Sequence, residues 1–178
     1  MKFKKFNFKK IKSTNDTAAR IIKKTNFKFG MVVAEKQISG RGQYGRKWIS
    51  YKGNLFASFF HPFDQNKFSI ERVTKLNCNL VKKLLSKYVK NKITFKKPND
   101  LLINKEKISG ILQEIITKSD KKFLITGIGI NVIKNPNIKN YPATNLYTIT
   151  GKKIKKSDLE NNLKLFFENQ TSKMYKIN

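Results

Sequence analysis

Apolar residues recur along the chain with two distinct periods. From Ile70 to Lys90, Val73, Leu76, Leu80, Leu84 and Tyr88 follow helical spacing, with Val81 and Leu85 beside them, so this stretch predicts a long helix. A shorter helix is predicted over "STNDTAARIIKK", capped by Ser13 or Thr14, with Asp16 in its first turn and a narrow apolar face of Ala18, Ile21 and Ile22. A third is predicted near the C-terminus, where Ser157 and Glu160 have capping-box spacing ahead of Leu159, Leu163, Phe166 and Phe167. Between the helices lie runs with strand character: "MVVAEKQ" (Met31 to Gln37), "NLFASFFHP" from Asn54 to Pro62, "ITF", and "KFLITGIGINVI". "LLI" and "ISGILQEII", joined by "NKEK", predict a hairpin. Lys134 to Gly151 reads as loop, and no internal repeat or linker interrupts the pattern. Consecutive strands with three helices, in place of a regular βαβ alternation, predict an α+β (mixed α/β) fold with mostly antiparallel strands.

Composition narrows the classes of function. The 178 residues suit one domain with a real core. No apolar run approaches the roughly 18 residues a membrane span needs. The opening "MKFKKFNFKKIK" alternates Lys with Phe and lacks the continuous apolar segment of a signal peptide. Cys78 is alone, so an intrachain disulfide and a cysteine zinc cluster are excluded. His61 is the only histidine, which sets aside Ser-His-Asp triads and paired-His metal sites. The cytoplasm is the expected compartment, without membrane association.

The net charge of +28 invites a nucleic-acid reading. The lysines, however, are spread along the whole chain, as on a solvated surface. Arginine is scarce (Arg20, Arg41, Arg46 and Arg72), and two of the four fall in one short loop. That loop, "SGRGQYGRKW" (Ser39 to Trp48), joins glycines, which let backbone amides approach an anion, to planar guanidinium forks and a flat indole. It matches G-x-G-x-x-G literally, but no helix follows to receive a pyrophosphate, as a dinucleotide fold requires. It fails as a Walker loop, because Arg46 stands where Lys is needed. A plain glycine turn between strands explains neither the arginines nor the tryptophan. The chemistry fits a loop that closes over the mixed anhydride of a carboxylic acid and a nucleotide, and its cations predict mobility until an anion arrives.

At this point the chain resembles the biotin protein ligases. "SGRGQYGRKW" is similar to their signature loop. "STN" (Ser13 to Asn15), Gln37, "KKPNDLLINKEKISGILQE", "GIGINV" and "PATNL" resemble further family segments in the same order, from Ser13 to Leu146. The resemblance implies the fold shared with class II aminoacyl-tRNA synthetases and lipoate ligases, a mostly antiparallel mixed sheet flanked by helices. It implies that biotin and ATP form biotinyl-AMP, with Mg2+, and that a lysine of a biotin carboxyl carrier protein, a carboxylase subunit, then takes the biotin. It further implies a single catalytic domain over residues 1–178, without the N-terminal winged-helix DNA-binding domain of the repressor members or their small C-terminal β domain. Sequence-specific DNA binding is not expected, and the assembly is expected to be a monomer or homodimer.

Carried over by position, the resemblance gives Ser13, Thr14, Asn15 and Gln37 the ureido head of biotin. Arg41, Gly42 and Gln43 would cover carboxylate and phosphate, Lys107 would reach both, and Gly110 would allow close approach. Arg41 and Lys107 are the catalytic candidates. Arg46, Trp48, Asn99 and Asn131 would bind ATP, and Asp100 would place magnesium or accept a proton. No dedicated protein-only metal site is expected, since magnesium binds mainly through substrate phosphates. Lys97 departs from the pattern by standing where the family usually has Trp. Ser13 serves equally well as a helix cap, and Cys78 reads as a packing residue; no specific role is expected of Tyr44 or Lys47. Two rival functions share these motifs: a lipoate-type ligase of the same fold, and a degenerate ligase acting as a basic nucleic-acid-binding module.

Overall fold

The computed structural model describes residues 1–176. Its elements run β1 (Lys4–Ile11), α1 (Thr14–Lys24), β2 (Gly30–Gln37), β3 (Gly40–Arg41), β4 (Lys47–Trp48), β5 (Leu55–Pro62), α2 (Ile70–Leu85), β6 (Ile93–Lys96), β7 (Asp100–Ile103), β8 (Glu106–Lys118), β9 (Lys121–Ile130), α3 (Leu146–Thr150) and α4 (Lys156–Lys176). Seven strands form one sheet in the order β1-β2-β5-β9-β8-β7-β6, and β3 pairs with β4 as a separate ribbon. Only β1 and β2 are parallel; every other pair in the sheet is antiparallel. The mixed, mostly antiparallel sheet flanked by helices is therefore as predicted. Among the described residues, no helix is long and apolar enough to cross a membrane.

The side-chain period of two sorts the sheet into two faces. On one, Val32, Phe60 and Ile125 pack with Ala18 and Ile22 of α1. On the other, Met31, Val33, Ala57, Phe59, Ile128 and Ile130 meet α2 through Val81, Leu84 and Leu85, and α4 through Leu159, Leu163 and Phe167. Phe59 and Phe167 stack face to face, 3.9 Å between centroids. Cys78 lies in this core as expected, where burial and the negative charge of Asp100 push its thiol up to about 12.

Several boundaries differ from expectation. The opening Lys/Phe alternation forms β1, an edge strand with half-buried Phe6, Phe8 and Ile11 packed against the α1 face. The "loop" from Lys134 to Gly151 contains α3, capped by Asn145, whose Oδ1 accepts from Thr148 N at 2.8 Å, and closed by Gly151 in the left-handed region. Helix α2 ends at Leu85, with Ser86 capping Lys82 O, so the apolar spacing beyond it belongs to turns. Ser157 does not cap α4, because the helix already includes it from Lys156; Glu160 pairs instead with Lys5 (2.7 Å) and Lys156 (3.7 Å). The β7–β8 hairpin is present, and it turns through Asn104 and Lys105, both at positive φ, as a tight two-residue turn requires.

Candidate active site

A cleft of about 770 Å³ opens on the α1 face of the sheet, beyond the N-terminus of that helix. Its size is in the range of small-molecule sites. Its floor is main chain. Gly110 and Gly129 lie opposite each other on β8 and β9, and Gly127 follows one period along. A Cβ on Gly129 would run into the Trp48 indole, and one on Gly110 would lie 2.9 Å from that ring. A Cβ on Gly127 would run into Asn15. The glycines thus form a flat slot for an indole and a seat for an amide.

At one end, α1 delivers Ser13, Thr14 and Asn15, all buried. Ser13 is the helix cap, its Oγ accepting from Asp16 N at 3.4 Å. Gln37, at the end of β2, accepts from Thr14 N (2.8 Å) and Thr14 Oγ1 (3.1 Å) and donates to Ser50 Oγ (3.3 Å). Asn15 accepts from Ser58 Oγ (2.5 Å) and donates to Glu114 Oε2 (2.7 Å). This end is polar, buried and already hydrogen-bonded.

The ribbon β3–β4 closes over the middle. Its turn runs through Tyr44 and Gly45 at positive φ, with Gly42 N donating to Arg46 O at 2.6 Å. The Arg41 guanidinium lies between Asp16 (2.6 Å) and Glu114 (2.9 Å). The loop is thus held by two carboxylates, which offset the mutual repulsion of its cations. Glu114 touches both Asn15 and Arg41 and so joins two parts of the site; it stands inside the quoted "GILQE", yet no spacing rule marks its role.

At the other end stands Lys107. Its Nζ is 2.8 Å from Asp100 Oδ1 and 5.3 Å from the centroids of both Trp48 and Tyr141. Tyr141 donates its hydroxyl to Asp100 Oδ2. Burial, and then the bond to Asp100, push the Tyr141 phenol up to about 12, with Arg46 opposing. The Lys107 main chain is gripped by the segment before α3: Lys107 N donates to Pro142 O (2.9 Å), and Thr144 N donates to Lys107 O (3.0 Å). Asn131 ties the same parts together, donating to Lys107 O (3.3 Å) and Thr144 O (3.0 Å), while its Oδ1 is buried without a protein partner. Trp48 Nε1 and Gln43 Oε1 are likewise buried and unpaired, so acceptors and a donor in this half of the cleft await a ligand or water.

Every site residue expected from the sequence borders this one cleft: Ser13, Thr14, Asn15, Gln37, Arg41, Gly42, Gln43, Arg46, Trp48, Asn99, Asp100, Lys107, Gly110 and Asn131. Lys97 borders it too, as do Tyr44 and Lys47. Sequence reasoning missed Tyr141, Gly127 and Glu114. Asn99 acts partly as structure, donating to Ile111 O at 2.6 Å.

Comparison with known proteins agrees with this geometry. The family model for the biotin/lipoate A/B protein ligases matches residues 7–131. The bifunctional ligase/repressor BirA of Bacillus subtilis is 32% identical over 166 residues, covering 89% of this chain and 50% of its own length. BirA of Escherichia coli is 34% identical over 102 residues, covering 56% of this chain and 32% of its own. The chain thus spans half or less of the length of these curated relatives. Among solved structures, the biotin protein ligase of Aquifex aeolicus in complex with biotin and ATP superposes with a TM-score of 0.79 at 29% identity, over 98% of this chain and 72% of that one. The Leishmania major ligase in complex with biotinyl-5-AMP gives 0.71 at 30% identity, over 92% and 73%.

Proposed function

The chain belongs to the biotin/lipoate A/B protein ligase family, and on that premise we propose that it is a biotin protein ligase working as one catalytic domain. In the first step a carboxylate oxygen of biotin attacks the α-phosphorus of ATP. The bond to the β-phosphate oxygen breaks and pyrophosphate leaves. In the second step a lysine amine of a biotin carboxyl carrier protein attacks the carbonyl of biotinyl-AMP. An amide forms, AMP leaves, and the amine's proton passes to solvent. The cytoplasm is the compartment we propose, since a single free, buried thiol suits reducing conditions.

One observation carries this reading: a buried, polar end and a cationic end share a single cleft whose floor is bare backbone. The carboxylate is ionised at neutral pH and needs no base; the barrier lies in bringing two anions together. Lys107 is the cation placed for that charge, held by Asp100 and flanked by two aromatic rings. Arg41, Gly42 and Gln43 cover the carboxylate and phosphate. Arg46, Trp48, Asn99 and Asn131 line the nucleotide end, where the open Oδ1 of Asn131 suits an exocyclic amine. Thr14, Asn15 and Gln37 offer a buried set of amides and a hydroxyl that suits a urea, which favours biotin over the apolar dithiolane of a lipoyl group.

Magnesium would enter on the phosphates of the nucleotide. Among the described residues no three metal-ligating side chains cluster; Asp100 Oδ1 is ion-paired with Lys107 and Oδ2 accepts from Tyr141. We therefore assign Asp100 to holding Lys107. Biotin-dependent exchange of labelled pyrophosphate into ATP tests the first step, and a streptavidin blot of a carrier domain tests the second. Absence of exchange with biotin, together with exchange driven by lipoate, would transfer the reading to the lipoate branch. Binding of DNA or RNA with steep salt dependence and no exchange at all would replace it with a basic nucleic-acid module.

A further inference from the structure

We propose that Tyr141 is a positioning residue for adenylation, setting the direction of Lys107 through Asp100; the assignment rests on the ligase reading above. Asp100 is buried at the start of β7 with two oxygens to satisfy. Lys107 takes Oδ1 at 2.8 Å and the Tyr141 hydroxyl takes Oδ2. A carboxylate held by one partner can pivot about its Cβ–Cγ bond, and the ammonium bound to it moves with it. Held at both oxygens, it offers the ammonium one position. The Tyr141 ring adds a second restraint, because Lys107 Nζ lies 5.3 Å and Lys96 Nζ 5.0 Å from its centroid.

The backbone makes the same connection. Tyr141 directly precedes Pro142, whose carbonyl accepts from Lys107 N, and Ala143 and Thr144 continue the pairing. That segment is fastened by asparagines. Asn135 donates to Ala143 O (2.6 Å), Asn145 donates to Asn135 Oδ1 (2.6 Å), and Asn54 Oδ1 accepts from Val132, Ile133 and Lys134 N at 2.9–3.2 Å. The phenol is pushed up to about 12, so it remains a donor throughout the physiological range. Tyr141 therefore bears on Lys107 through its hydroxyl on Asp100, from an irregular segment held to both.

The test is Tyr141→Phe in the full chain, which removes the hydroxyl and keeps the ring. The kcat of biotin-dependent pyrophosphate exchange should fall about ten-fold while the KM for biotin stays within about two-fold, the pattern of an interaction realised in the transition state. In an Asp100→Asn background the same change should cost less than about two-fold, because residues acting as one unit are not additive. An unaffected Tyr141→Phe chain overturns the assignment. So does an equal ten-fold loss in the Asp100→Asn background, which would make the tyrosine independent of the carboxylate. A substituted chain that no longer melts cooperatively would show a purely structural role and overturn it as well. No exchange by the unmodified chain would overturn the ligase reading and this assignment together, whereas normal exchange with an indifferent Tyr141→Phe overturns the assignment alone.

Discussion

The two ends of the cleft differ in how finished they are. At the α1 end, Thr14 is bonded to Gln37 and Ser58 to Asn15 at 2.5–3.1 Å, so these side chains are fixed in place. At the Lys107 end, the Trp48 Nε1, Gln43 Oε1 and Asn131 Oδ1 atoms are buried with no protein partner, and the lining is rich in Arg and Lys. A neutral, hydrogen-bonding head group can be recognised by a rigid frame whose donors and acceptors are fixed in advance. An anion that gains charge during reaction calls for cations and dipoles aimed at it, and since a cation is costly to bury alone, each needs a carboxylate to hold it. The acids are rationed accordingly: Asp100 goes to Lys107, and Asp16 and Glu114 to Arg41.

The strongest way to break this contrast is Lys107→Ala. If the cationic end carries the transition state, the exchange rate should fall roughly 10²-fold or more in a chain that still melts cooperatively, though at a lower temperature because Asp100 loses its partner. Near-normal exchange in the folded variant would leave the contrast without chemical meaning. The next effect separates the cleft from its frame by pH. His61, away from the cleft, is lowered from 6.5 to about 4 by burial, against a hydrogen bond to Pro62 O that raises it. The unfolded chain therefore binds a proton below pH 6.5 that the folded chain refuses. Stability should be full above that value and fall by about 2 kcal/mol between pH 7.5 and pH 5. Urea midpoints at the two pH values measure this, and His61→Asn should flatten the difference. Gly127→Ala tests the finished end: its methyl group would displace Asn15, and the KM for biotin should rise about ten-fold with the KM for ATP unchanged. Equal changes in both constants would show that the two ends are not separable. The smallest effect is expected from Arg41→Ala. Its ion pairs are partly exposed, and losing them should cost less than ~1 kcal/mol of stability. Limited trypsin digestion at Arg46 and Lys47 should nevertheless become faster, with biotin plus ATP restoring protection; an unchanged cutting rate would mean that the carboxylates do not hold the loop.

How far the sequence revealed this depends on the kind of contact. Helix α2 and the β7–β8 hairpin were legible because periodicity and turn chemistry are local. Strand β1 was masked by its own lysines, of which Lys4, Lys9 and Lys10 are exposed at the sheet edge while Phe6 and Phe8 turn inward. Helix α3 spans five residues, too few to show a period. The cleft-lining residues emerged from collinear motifs, including Lys107, which in so lysine-rich a chain composition alone would leave on the surface. Tyr141 and Glu114 stayed hidden for a common reason. Each acts through a partner distant in sequence, Tyr141 on Asp100 at a separation of 41 residues and Glu114 on Arg41 at 73, and nothing in spacing records a pairing that only the folded sheet creates.

The strand order has a consequence for synthesis. β5 sits between β2 and β9, and from Leu55 to His61 it is fully buried. On a growing chain β2 can pair with it at once, but its other edge waits for β9, which ends at Ile130, 68 residues after Pro62 (130 − 62). At about 5–20 residues per second this leaves an apolar edge unpartnered for roughly 3–14 s on every ribosome making the protein. Strand β8, although it is made before β9, cannot cover that edge, because in the finished sheet β9 lies between them. A trigger-type chaperone should therefore engage this chain most strongly while its length lies between those two strands, and release it once the central strand is in place.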